Sequence, residues 1–302
     1  MDSMPAIFNL PQPGLLDRLR NFWLWATPKH PYFPNRYSPE RMQFDLSGNL
    51  FAMNIPQPNV VHGNPREDKP SQLDIHDTRW YKEAERRFPI PHQEEEPLWF
   101  TLFTRSSWMV PYATAQEESG MMIYGAQVRW TKTLPKTMSC FQPAHFEQVV
   151  MRDVYFGFGP PKGNRAEKAP VNWQTFEHSP AIYCEAYPLD AQGQVSQGTG
   201  GTMNLYIPLA PQHYIRFITR IMKYESRELS LLNGKQIAHE MMNSYQLQLS
   251  PENQALADQI KAQYPHAKAS STRQPETWQY FKYDTVVSKI LEAGTPPAPY
   301  QP

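Results

Sequence analysis

Between Arg41 and Ile55 the chain alternates. Met42, Phe44 and Leu46 are separated by polar residues, Ser47-Gly48-Asn49 forms a turn signal, and Leu50 to Ile55 follows. Successive strand side chains point to opposite faces, so this spacing predicts a β-hairpin. Gly48 can take a positive φ without a steric penalty. The same period recurs over Leu98–Val110, where Trp99, Thr101, Phe103 and Arg105 alternate with their neighbours. It predicts further strands over Met121–Thr133, Val149–Phe158, Ala181–Tyr187 and Gly200–Leu209. Asp190-Ala191-Gln192-Gly193 reads as a hairpin loop between the last two. Short turns favour antiparallel pairing, and no βαβ alternation appears.

Helical spacing marks other segments. Leu15, Leu16, Leu19, Phe22, Trp23 and Ala26 share one face of a predicted helix over 15–26, which Pro28, Pro31 and Pro34 end. A short helix is predicted over Asp77–Arg87. After Pro211, the stripe Tyr214, Ile215, Ile218, Ile221 and Met222 predicts another, interrupted at Asn233-Gly234. Ile237, Ala238, Met241, Met242 and Tyr245 form the next stripe. Ser250-Pro251-Glu252 is a helix-start signal with Leu256 and Ile260 facing inward. Asp284 to Gly294 predicts a last helix. The whole reads as an α+β fold, mainly antiparallel β-sheet with long Pro-rich loops and helices concentrated in the C-terminal third. A single domain spans 1–302: a Pro/aromatic-rich segment over 1–97, the antiparallel sheet over 98–210 and a helical region over 211–302.

Composition adds to this picture. The 31 prolines run through segments dense in Trp, Tyr and Phe. Proline interrupts helices and central strands, while aromatics supply burial, so the pairing predicts ordered irregular segments rather than a disordered chain. The net charge of +0 argues against nucleic acid, whose binders carry basic surface. No apolar run approaches the roughly 20 residues of a membrane span, and Met1 to Leu10 lacks a signal-peptide pattern. Two cysteines, Cys140 and Cys184, make no disulfide framework. The expected compartment is the cytoplasm.

The best catalytic fragment is Asp74-Ile75-His76-Asp77. Carboxylates beside an imidazole orient it and raise its basicity, so Asp74, His76 and Asp77 are the candidate centre of a hydrolase. An aspartate pair before a short helix is more often a cap. His239-Glu240 lacks the second histidine of a zinc-protease helix, because position 243 is Asn243. Cys140 and His145 are close in sequence, but a buried reduced thiol is the simpler expectation. Gly157 to Gly163 contains Pro160 and Pro161, which remove donors that a phosphate cradle needs, so it reads as a loop leaving a strand. Gly198 to Gly201 precedes a strand and predicts a hairpin or bulge. Glu94-Glu95-Glu96 reads as an exposed acidic loop. No cofactor or metal motif is assembled.

Trp23, Trp25, Tyr32 and Phe33 sit among prolines. Such residues anchor interfaces, and proline lowers the entropy lost on ordering. They also suit wrapping of the protein's own sheet. The leading expectation is a non-catalytic protein-binding protein (an inhibitor, a toxin-neutralising immunity-type protein or an adaptor) with those four as partner-binding residues. The alternatives are the hydrolase and a peripheral membrane association through helix 15–26.

Overall fold

The structure, a computed structural model, describes residues 7–8, 33, 35–36, 38–59, 68–81, 97–109, 120–159, 167–190, 193–195, 200–223 and 227–278. The expected helices over 15–26 and 284–294, the run Glu94 to Glu96, and Trp23, Trp25 and Tyr32 lie outside the described residues.

The fold is α+β with mostly antiparallel sheets, as the sequence predicts. A hairpin of β1 (Pro39–Leu46) and β2 (Asn49–Pro56) is flanked by the short strands β3 (Gln72–Leu73) and β10 (Gln246–Gln248), in the order β10-β2-β1-β3. Its turn uses Ser47 and Gly48, both at positive φ (55° and 81°), the geometry of a two-residue hairpin loop. The larger sheet contains β4 (Leu98–Met109), β5 (Gly120–Trp130), β6 (Glu167–Phe176), β7 (Ser179–Pro188), β8 (Thr202–Ala210), β9 (His213–Lys223) and β11 (Glu276–Trp278). The order β11-β6-β7-β8-β9-β5-β4 is antiparallel throughout.

Both faces of this sheet are covered. Helix α1 (Pro143–Phe158) lies on one, where Val150 and Val154 pack with Cys184, Tyr206 and Tyr214. The small sheet and helix α2 (Arg227–Asn243) cover the other, where Phe51, Met53 and Met242 meet Leu205, Ile215 and Phe217. Helix α3 (Pro251–Gln263) starts as predicted, with the Ser250 hydroxyl accepting from the Asn253 N–H at 3.2 Å and Pro251 in the first turn. Leu256 and Ile260 are half-buried.

Three expectations are corrected. Residues 149–158 form the body of α1, not a strand. Their β-branched and aromatic side chains are buried on most sides of the helix, which erases the 3.6 period. The glycines at its end therefore leave a helix, and the Gly159 N–H caps Tyr155 O. Residues 213–223 form β9, not a helix. With both faces covered, the strand is apolar on both, and Tyr214, Ile215, Ile218, Ile221 and Met222 mimic a helical stripe. The helical region therefore begins at 227 rather than 211. Nor does Asn233-Gly234 interrupt α2. A Cβ on Gly234 would lie 2.6 Å from Ile221 Cδ1, so this glycine lets the helix approach β9.

Strand β6 escaped prediction because Pro170 breaks its run of β-formers, and Asn172 at φ 51° and repeated register shifts against β7 interrupt its alternation. Residues 191 and 192 of the expected loop at 190–193 lie outside the described residues, and the Gly193 N–H donates to Asp190 O at 3.0 Å.

Candidate binding pocket

The segment Ser71–Tyr81 is built on the end of the small sheet. The Ser47 hydroxyl donates to Asp74 Oδ1 at 2.9 Å and accepts from the Ile75 N–H at 3.0 Å, tying the segment to the β1–β2 turn. Asp74 also accepts from the His76 main-chain N–H at 2.9 Å. That bond, then the Ser47 hydroxyl, holds the Asp74 carboxyl below its ordinary value. Asp77 caps a 3-10 turn over Thr78–Trp80, accepting from the Arg79 N–H at 3.0 Å and pairing with the Arg79 guanidinium at 2.6 Å. The aspartates thus do the work expected of turn and cap residues. His76 is exposed at the end of the turn.

Opposite it stands a residue that the sequence reading missed. His213 opens β9 after the two-residue turn Pro211–Gln212. The segment 131–140 wraps that turn. Thr131 N–H and hydroxyl both donate to Gln212 O, at 2.9 and 3.0 Å, and the Cys140 N–H donates to Pro211 O at 2.8 Å. The His213 ring is stacked with Trp130 (centroids 6.0 Å, 6°) and perpendicular to His76 (5.0 Å, 85°). Only 4% of His213 is exposed. The Ile75 carbonyl beside it accepts from the Tyr81 hydroxyl at 2.8 Å. Its Nε2 is buried without a hydrogen-bond partner. Burial first, then the neighbouring His76, pushes the imidazole down to about 3, so it is neutral at physiological pH.

A pocket of about 360 Å³ lies here, walled by Ile75, His76, Trp130 and His213. Lys136 and Met138 contribute from the wrapping segment, and Pro211–Gln212 from the hairpin turn. Lys136 is exposed, and Trp130 and Met138 are half-buried. The signal for this site was the dipeptide Pro211-Gln212 between two β-forming runs. Reading a helix from Pro211 concealed it.

The remaining sequence candidates fall elsewhere. Phe33 is packed in the core with 3% exposure, as sheet wrapping requires. Cys140 and Cys184 are both buried and unpaired. Burial pushes the Cys140 thiol up to about 12, far from a thiolate nucleophile. His145 Nδ1 accepts from the Ser139 N–H at 3.3 Å. His239 stacks on Phe8 at 4.1 Å, with Nε2 3.0 Å from the Tyr183 hydroxyl. It is the edge of a buried network. Glu185 accepts from Tyr183 (2.6 Å), Tyr187, Lys235 (2.8 Å) and Asn172 (2.8 Å). Burial raises the Glu185 carboxyl, yet Lys235 and the tyrosine hydroxyls outweigh it and bring it below its ordinary value. On the other face, Asp153 pairs with Arg129 at 2.9 Å and Arg216 at 3.1 Å and accepts from the Tyr214 hydroxyl at 3.0 Å. Both networks tie elements together beneath the surface.

No group of three or more His, Cys, Asp or Glu suited to a metal ion occurs among the described residues. No helix among them is long and apolar enough to cross a membrane. No family model, curated protein or solved structure matches the chain, and the chemistry of the pocket rests on its own geometry.

Proposed function

We propose that the protein is a non-catalytic binding protein and that its target, another protein, is recognised at the His76–His213 pocket. The observation that supports this is the His213 Nε2, a buried ring nitrogen with no hydrogen-bond partner on a residue that lines an open cavity. Leaving such a group unsatisfied costs about 1–3 kcal/mol, which a polar group of a target recovers. The exposed His76 ring stands perpendicular to His213 at the same cavity. Half-buried Trp130 and Met138 give the target apolar area beside the polar contact. The depressed basicity of His213 favours recognition over catalysis. A base whose conjugate acid titrates near 3 takes up little proton at neutral pH. Inhibition, toxin neutralisation and adaptor roles all fit a recognition pocket on a rigid sheet.

The experiment is capture of the target from host lysate, followed by its affinity for wild type, His213→Phe and Trp130→Ala. A stoichiometric partner whose affinity falls about tenfold in either folded variant supports the reading. A partner bound equally by all three proteins contradicts it.

One observation favours the hydrolase as a second reading: His76 meets a second imidazole at the pocket. In that reading exposed His76 moves the proton and His213 accepts a hydrogen bond from substrate. Turnover of an ester, amide or phosphoester panel that His76→Ala abolishes would establish it, and no turnover in wild type would remove it.

A further inference from the structure

We propose that the protein has a second recognition site, which takes an extended segment of a partner protein carrying phenylalanine and is filled in the free protein by its own Phe8. The way Phe8 is held defines the chemistry that the site reads. Its main-chain N–H donates to Asn243 Oδ1 at 2.6 Å, and Asn243 Nδ2 donates to its carbonyl at 2.9 Å, across 235 residues of sequence. One side-chain amide thus pairs with both polar groups of a single peptide residue, as a neighbouring strand would, and this contact accepts any residue type. The ring contacts supply the selectivity. Phe8 stacks on His239 (centroids 4.1 Å, 10°) and meets Tyr183 (5.0 Å, 80°) and Phe176 (5.3 Å, 79°) edge-on. Three rings set around a fourth favour an aromatic occupant over an aliphatic one. The walls stand without Phe8. Phe176 ends β6, Asn243 ends α2, and the Tyr183 hydroxyl is fixed by Glu185 at 2.6 Å and His239 Nε2 at 3.0 Å. Phe176, His239 and Asn243 are half-buried even with Phe8 seated, so the site lies at the surface. None of these residues lines the His76–His213 pocket.

The test uses the full chain, labelled with 15N in histidine. The probes are acetyl-Pro-Ala-Ile-Phe-Asn-Leu-amide, the sequence at positions 5–10, and the same peptide with alanine in place of phenylalanine. Phe8→Ala empties the ring site. This variant should bind the phenylalanine peptide about tenfold tighter than the alanine peptide, with the His239 resonance moved and the His213 resonance still. Wild type should bind the phenylalanine peptide about tenfold more weakly than the variant, because Phe8 must leave first. A folded variant that binds neither peptide, or both alike, overturns the proposal, as does equal binding by wild type and variant. Hydrogen exchange in wild type needs no substitution. The Phe8 amide should exchange at least about tenfold faster than the amides of β8, the mark of local release. Exchange as slow as that of β8 would make Phe8 a fixed part of the core and overturn the proposal even where the variant does not fold. Wild-type dimers that Phe8→Ala abolishes would assign the site to a second copy of the chain and overturn the separate partner. None of these outcomes touches the reading of the His76–His213 pocket, which stands or falls on target affinity in His213→Phe and Trp130→Ala.

Discussion

His213→Phe should change how stability depends on pH. A somewhat larger aromatic ring takes the place against Trp130, and the titrating group is gone. In the native protein the imidazole titrates near 3, against an ordinary value of 6.5. Between those values the unfolded chain holds a proton that the native state lacks, so wild-type stability falls as pH drops below 6.5 and is fully present above it. The slope is about 1.4 kcal/mol per pH unit, or about 2.5 kcal/mol between pH 6.5 and roughly pH 4.5. Burial also lowers His145 and His239, which add the same sign of dependence. Both remain in the variant, so the difference between the two proteins isolates His213. At neutral pH the variant fits a larger ring but also removes the unpartnered buried nitrogen, so the two proteins should differ by no more than about 1 kcal/mol. Urea unfolding followed by tryptophan fluorescence, from about pH 7 to about pH 4.5, gives the two curves. Wild type should fall below the variant at the acid end. Parallel curves would mean that His213 titrates normally in the native state, and the buried neutral imidazole would not exist.

Three other substitutions or probes test the surrounding fold. Gly234→Ala gains about 1 kcal/mol of helix propensity but forces a Cβ to within 2.6 Å of Ile221 Cδ1. The net effect should be a loss of about 1–2 kcal/mol in urea unfolding, and a gain would show that α2 does not pack this closely on β9. Asp153→Ala leaves the Arg129 and Arg216 guanidinia buried without their carboxylate, and should cost about 3–5 kcal/mol by the same assay. A cost below about 1 kcal/mol would contradict the buried placement. Cys140 and Cys184 should resist an aromatic disulfide reagent in the native protein and react fully in urea, because burial raises both thiols. Rapid native reaction at either would overturn that.

The sequence disclosed strands most plainly where one face met a core and the other did not. The hairpin at 42–55 is the clearest case, because Phe44 and Leu46 are buried while their neighbours in β1 are exposed or half-buried. Strands buried on both faces were read at β7 and β8 and misread at β9. β9 carries Ile215, Phe217 and Ile221 toward the small sheet and Tyr214 and Arg216 toward α1, so its apolar pattern has no clean period of two. α1 is misread for the mirror-image reason, a helix buried on most sides by valines and aromatics. The site followed the fold. His76 was legible because carboxylates flank it, yet those carboxylates hold turns. Its true neighbour, His213, is 137 residues away in sequence and becomes adjacent only when the β8–β9 hairpin docks beside the 74–77 turn. Nothing local in the sequence marks that meeting.

The most direct measurement is the 15N spectrum of histidine-labelled protein in the free state, followed through an acid titration. A neutral His213, unchanged from neutral pH down to about pH 4.5, is the predicted result. A His213 that titrates near its ordinary value would contradict the pocket's central feature, the buried neutral imidazole.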